Sequence, residues 1–178
     1  IAVFTAFGLT GAGAAHAQDA EEDDNSISRP VVQALPSRDS LQLSSALSRL
    51  GRDPRDISAL IDAGNAALSM GDVDASVGFF KRANQVSPGD PRVKVGLAGA
   101  MVRNGDPIGA IGLFNEAERG GAPVSGMAAE RGLAYDLVGD NATAQKFYRL
   151  ALAGGEDEEV TRRLAVSQAI AGDARAFE

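Results

Sequence analysis

PRVKVGLAGAMVRNGDPIGAIGLFNEAERGGAPV, residues 91–124, carries the pattern that decides the fold. Gly105-Asp106 divides it into two apolar-periodic halves, and Phe114 sits inside the second. The arrangement recurs on both sides. Gly71-Asp72 lies 34 residues earlier, Gly139-Asp140 lies 34 residues later, and Gly172-Asp173 follows after 33. Phe80, Phe114 and Tyr148 keep the same beat. A fixed period of that length signifies stacked helical hairpins, each too small to fold alone. The dipeptide has a local cause. Gly suits the left-handed position just past a first helix. Asp caps the N-terminus of the second helix and complements its dipole. Pro107 fits the first helical turn, where its missing N–H costs nothing. Asp90-Pro91 repeats that grammar between hairpins.

Working outward, the hairpins span 57–90, 91–124 and 125–158, with a truncated fourth over 159–178. Ahead of them a leading helix is predicted over 39–51, with the apolar stripe Leu41, Leu43, Ala46, Leu47 and Leu50. Gly51 is expected to stop it and Asp53-Pro54 to open the next element. Residues 18–38 read as a disordered acidic linker, opened by Asp19, Glu21, Glu22, Asp23 and Asp24. Before it, Ile1–Gly13 is apolar and small, and Ala15-His16-Ala17 fits the small-x-small rule of signal peptidase. Residues 1–17 thus read as a signal peptide lacking its positive n-region, cleaved near Ala17. The expected location is periplasmic or secreted, with no membrane span in the mature chain.

Aromatics make up 5% of the 178 residues and Trp is absent, so the core must come from closely packed Ala, Leu, Val and Gly. The net charge of −7 lacks the cationic footprint that a nucleic-acid binder needs. With no Cys, disulfides, thiolate catalysis and Cys-ligated zinc are excluded. The single histidine, His16, falls in the expected signal peptide, which removes histidine acid–base chemistry and His-ligated metal from the mature chain. Asp62 and Asp136 form a conceivable carboxylate pair, although solvated helix faces suit both better. Glu156, Asp157, Glu158 and Glu159 lack EF-hand spacing and best complement the next helix N-terminus. No Walker-type sequence occurs. The expectation is a non-catalytic protein with no cofactor and no metal.

The repeating residues resemble the tetratricopeptide repeat (TPR). The small residue of the first helix is Gly64, Ala98 and Gly132, followed one turn later by Ala67, Met101 and Tyr135. In the second helix Ser76, Ala110 and Ala144 precede the aromatics, and Ala83, Ala117 and Ala151 follow them. Pro88 ends the first repeat; Ala122 and Glu156 replace it in the others. The resemblance implies an all-α, right-handed superhelical solenoid of antiparallel helix pairs, three full repeats plus a truncated fourth. It also implies that Phe80, Phe114, Tyr135 and Tyr148 are core.

By the same resemblance, the first helix of each hairpin lines a concave peptide-binding groove. The implied lining is Ser58, Ile61, Asn65, Leu68, Arg92, Val95, Gly99, Val102, Ala129, Leu133 and Asp136. Ile61 stands where a carboxylate-clamp TPR carries Lys, so such a clamp is rejected. An apolar groove suits an amphipathic helix, an apolar peptide, or further segments of the protein itself. Arg92 and Arg103 could meet an acidic peptide or make local ion pairs.

The function implied is a protein–protein interaction scaffold of the bacterial cell envelope. The chain is similar to exported bacterial TPR proteins, some of which carry a sporulation-related (SPOR) domain that here would lie beyond Glu178. The alternative is the regulatory or targeting arm of a larger enzyme, its catalytic domain also beyond Glu178. Leu164, Val166 and Ile170 lack a hairpin partner, which predicts fraying of 160–171 or self-association through the truncated C-terminal end.

Overall fold

The computed structural model describes residues 35–172. The expected signal peptide, the linker through residue 34, Asp173 and Phe177 lie outside the described residues. Among the described residues there are eight α-helices and no strand: α1 (Arg38–Arg52), α2 (Ile57–Ser69), α3 (Val73–Val86), α4 (Pro91–Arg103), α5 (Pro107–Arg119), α6 (Ala128–Leu137), α7 (Asn141–Leu152) and α8 (Glu158–Ile170). α2–α3, α4–α5 and α6–α7 pack as hairpins, and each stacks on the next through α3–α4, α5–α6 and α7–α8. This is the all-α solenoid expected. No helix among the described residues is long and apolar enough to cross a membrane.

The Gly-Asp turns are three copies of one device. Gly71, Gly105 and Gly139 take φ of 82°, 83° and 83°. The next N–H, on Asp72, Asp106 and Asp140, donates back to Ala67, Met101 and Tyr135 carbonyls at 2.9 Å each, while the Gly N–H reaches Leu68, Val102 and Asp136. That is the Schellman closure of a helix C-terminus. The same Asp then accepts from Ala75, Gly109 or Thr143 N–H at 2.9–3.0 Å and starts the following helix. Asp56, Asp90 and Asp157 cap α2, α4 and α8 likewise.

Two boundaries differ from the sequence reading. α1 runs through Gly51 to Arg52, because nothing forces Gly51 into a left-handed conformation; Asp53, with extended backbone, ends the helix. α2 is capped by Asp56 rather than opened at Asp53-Pro54. The third hairpin starts late. No side chain caps α6, and the chain enters it through a 3-10 turn, Val124–Met127, after Gly121 at φ 94°.

Phe80, Phe114 and Tyr148 are fully buried. Phe80 lies between Gly64 of its own hairpin and Gly96 of the next; a Cβ at Gly64 would stand 2.7 Å from the ring, and one at Gly96 would overlap it. Tyr148 covers Gly132 in the same way. Ala46 stands 34 residues before Phe80 and is buried against Leu60 and Ala63, so α1 packs like the second helix of a preceding hairpin. Tyr135 is half-buried and stacks on Phe147, with ring centroids 5.5 Å apart.

The caps link stability to acid. The Ala59 N–H, together with Arg49, holds Asp56 below the ordinary carboxylate range. The Arg92 guanidinium does the same for Asp90, and Thr143 for Asp140. Each contributes stability that is complete above its unfolded value, about pH 4, and lost as pH falls through the depressed folded value. Thermal melts followed by circular dichroism are expected to be flat from about pH 5 to 8 and to drop steeply below about pH 4. In Asp56→Asn that drop becomes shallower; an unchanged slope would remove Asp56 from the account.

Candidate functional site

The first helices of successive hairpins touch one another, α2 to α4, α4 to α6 and α6 to α8, while no comparable contact joins the second helices. The first helices therefore form the inner, concave face. Two clefts open on it. The N-terminal cleft, of 360 Å³, lies between α2, α4 and the segment 121–126, and is lined by Ile61, Asn65, Arg92, Val95 and Pro123 among others. The C-terminal cleft, of 440 Å³, lies between α6 and α8; Leu133, Leu137, Val166 and Ile170 form its apolar walls.

Between the clefts the floor is Gly99, which is buried, and the Arg103–Glu130 ion pair at 2.9 Å bridges α4 to α6. Arg92 is paired too. Its guanidinium meets Asp90 at 2.7 Å, which also raises the Arg92 pKa. Arg92 thus makes a local ion pair and Arg103 one between hairpins, and the apolar lining rather than free cationic charge characterises the face. Asn65 also borders a smaller polar hollow with Gln42, Ser45, Arg49 and Asp62.

The expected lining residues separate into groups. Ile61, Asn65, Arg92 and Val95 come together in the N-terminal cleft, and Leu133 and Asp136 in the C-terminal one. Val102 does not line the face: it is 2% exposed and belongs to the core around Phe114. Leu68 packs half-buried against Val77 and Phe80, and Ala129 against Tyr148 and Val160. The cleft residues Ile61 and Asn65 of α2, and Leu133 and Leu137 of α6, stand four apart along the inclined ridge of a helix surface. Leu137, 55% exposed, and α8 residues Val166 and Ile170, 53% and 69% exposed, are cleft residues outside the lining expected from sequence. The signal that finds them is the 33-residue final step, which places Val166 and Ile170 in register with Leu133 and Leu137.

Asp62 and Asp136 do not meet. Asp62 pairs with Arg49 at 2.8 Å. Asp136 Oδ1 accepts from Asn141 Nδ2 at 2.8 Å and from Ser167 Oγ at 2.7 Å, which ties α8 to α6. Beside it the Tyr148 hydroxyl is buried without a well-aligned hydrogen-bond partner. Burial, then the nearby Asp136 carboxylate, push the phenol well above its ordinary range, so it stays protonated. No group of three or more acidic or histidine side chains among the described residues is arranged to hold a metal.

No protein-family model and no curated protein matches the sequence. Solved structures do. A thermophilic TPR protein of Thermus thermophilus superposes with a TM-score of 0.63 at 23% identity, over 75% of each chain. MamA gives 0.60 at 13% identity, over 80% of this chain and 90% of that one. PilW, a type IV pilus biogenesis factor, gives 0.65 at 17% identity, over 75% of this chain and 62% of its own. At these identities the likeness establishes the fold, and the fold is that of TPR proteins.

Proposed function

We propose that the protein is a non-catalytic scaffold of the bacterial cell envelope that binds a peptide or helix of a protein partner along its concave face. The observation that carries this reading is the pair of apolar clefts on that face. Exposed apolar surface of this kind marks interfaces, and a groove between first helices accepts side chains spaced along an extended or helical segment. The envelope location is supported by the apolar Ile1–Gly13 and the Ala15-His16-Ala17 that follows it.

The test is affinity capture from envelope extract with residues 18–178 and with an Ile61→Glu, Leu133→Glu variant. Each substitution puts a carboxylate into one cleft, a desolvation cost that a bound apolar side chain would have to share. The expected result is selective loss of one protein from the variant capture, with helical circular dichroism unchanged. Identical captures would remove the concave face from the function.

A further inference from the structure

Asn104-Gly105 is the one Asn-Gly pair in the 178-residue sequence, and it sits at the turn of the hairpin over 91–124. The other Gly-Asp turns carry Met70, Val138 and Ala171 before their glycine. Asn104 is the C-cap of α4, with φ −83° and ψ 4°, and both Asn104 and Gly105 are exposed. Asparagine is chemically labile, and one that precedes glycine can react with its own backbone, because the glycine has no Cβ to obstruct the approach.

We propose that Asn104-Gly105 is a self-modification site held shut by the native turn, so that it records opening of this hairpin. The step needs only water and hydroxide. The Gly105 nitrogen loses its proton and forms a bond to Asn104 Cγ. The Cγ–Nδ2 bond breaks, and Nδ2 leaves as ammonia with a proton from water. The product is a five-membered succinimide. Water then opens the ring at either carbonyl. Addition at Cγ gives aspartate in the normal backbone, and addition at the main-chain carbonyl gives isoaspartate. Nothing is oxidised or reduced.

Two features of the turn oppose ring closure. The Gly105 nitrogen must eclipse Cβ about the Cα–C bond of residue 104, and at ψ 4° it eclipses that residue's own nitrogen instead. The peptide is also tied down. Gly105 N–H donates to the Val102 carbonyl at 3.2 Å and Asp106 N–H to Met101 at 2.9 Å, so the rotation breaks the closure of α4. The reactive conformer therefore belongs to the locally opened state. Opening and closing are fast beside the chemistry, so the rate follows the population of that state. The product cannot restore the turn. Isoaspartate lengthens the backbone by a methylene where the hydrogen-bond register is fixed. Aspartate places negative charge at the C-terminus of α4, where the helix dipole disfavours it.

The full 178-residue chain is held at mildly alkaline pH, both folded and in urea above its unfolding transition. Peptide mass mapping follows conversion at each asparagine, and labelling by an isoaspartyl methyltransferase follows isoaspartate. Residue 104 is expected to convert fastest of the asparagines in urea, and at least about tenfold more slowly in the folded chain. Phe114→Ala empties the core in which Val102 and Ala110 pack, and it is expected to raise the folded-state rate about tenfold. Urea below the transition tests the same dependence without any substitution. Chains converted at residue 104, separated by charge, are expected to lose hydrogen-exchange protection at residues 105 and 106 by about tenfold. Equal rates in folded and unfolded chain would overturn the gate, as would a folded rate blind to both Phe114→Ala and urea. No conversion in urea would overturn the site itself. Unchanged protection in converted chains would overturn its effect on the turn.

Discussion

Phe80→Ala is expected to destabilise the protein by about 3–5 kcal/mol. The ring is fully buried and touches two hairpins, with Gly64 on one side and Gly96 on the other. Truncation therefore leaves a cavity that two glycines cannot fill. The loss is local as well as large. Stability in a stack of repeats is a sum of unit terms and nearest-neighbour junctions, and Phe80 supplies much of the α3–α4 junction, with Val77, Leu97 and Ala100 around it. Urea unfolding of the variant is expected to split into two transitions, with α1–α3 losing hydrogen-exchange protection first. A single transition with an unshifted midpoint would show that the junction does not depend on the ring.

Gly96→Ala is expected to cost about 1–2 kcal/mol, against the usual gain from replacing a helical glycine. Propensity alone favours Ala by about 0.5–1 kcal/mol. A Cβ at residue 96 would overlap the Phe80 ring, and overpacking of this kind costs about 1–3 kcal/mol. The coupling makes the prediction decisive. In a Phe80→Leu background the same substitution has room, and it is expected to turn stabilising by about 0.5–1 kcal/mol. A double-mutant cycle in denaturant reads the interaction directly; additive effects would mean that residues 80 and 96 do not contend for the same space.

The fold was legible because its signals are local and repeat in register. Gly-Asp at a 34-residue step needs only a left-handed residue and a cap, and both are properties of the dipeptide itself. The site was legible only in part. Ile61, Asn65 and Val95 are cleft residues because they lie on the i, i+4 ridge, but the step to Leu68 and Val102 left that ridge by one residue and entered the core. The direction of a side chain at that step depends on how the next hairpin packs, which one sequence period does not contain. Arg131 is the other case. It reads as one more surface arginine, yet it is nearly buried, pairs with Glu118 at 2.7 Å, donates to Asn115 and covers the Phe147 ring at 4.4 Å. Its partners come from α5 and α7, so no pattern within its own helix announces them.

Each 34-residue unit carries its own turn, its own cap and its own junction aromatic, and its packing reaches only adjacent hairpins. Nothing in such a unit refers to its distance from either terminus. Reach is therefore the easiest property of this architecture to change by gene duplication. A copied unit arrives already able to dock on both neighbours, and it extends the recognition surface by one step while the rest of the molecule keeps its contacts.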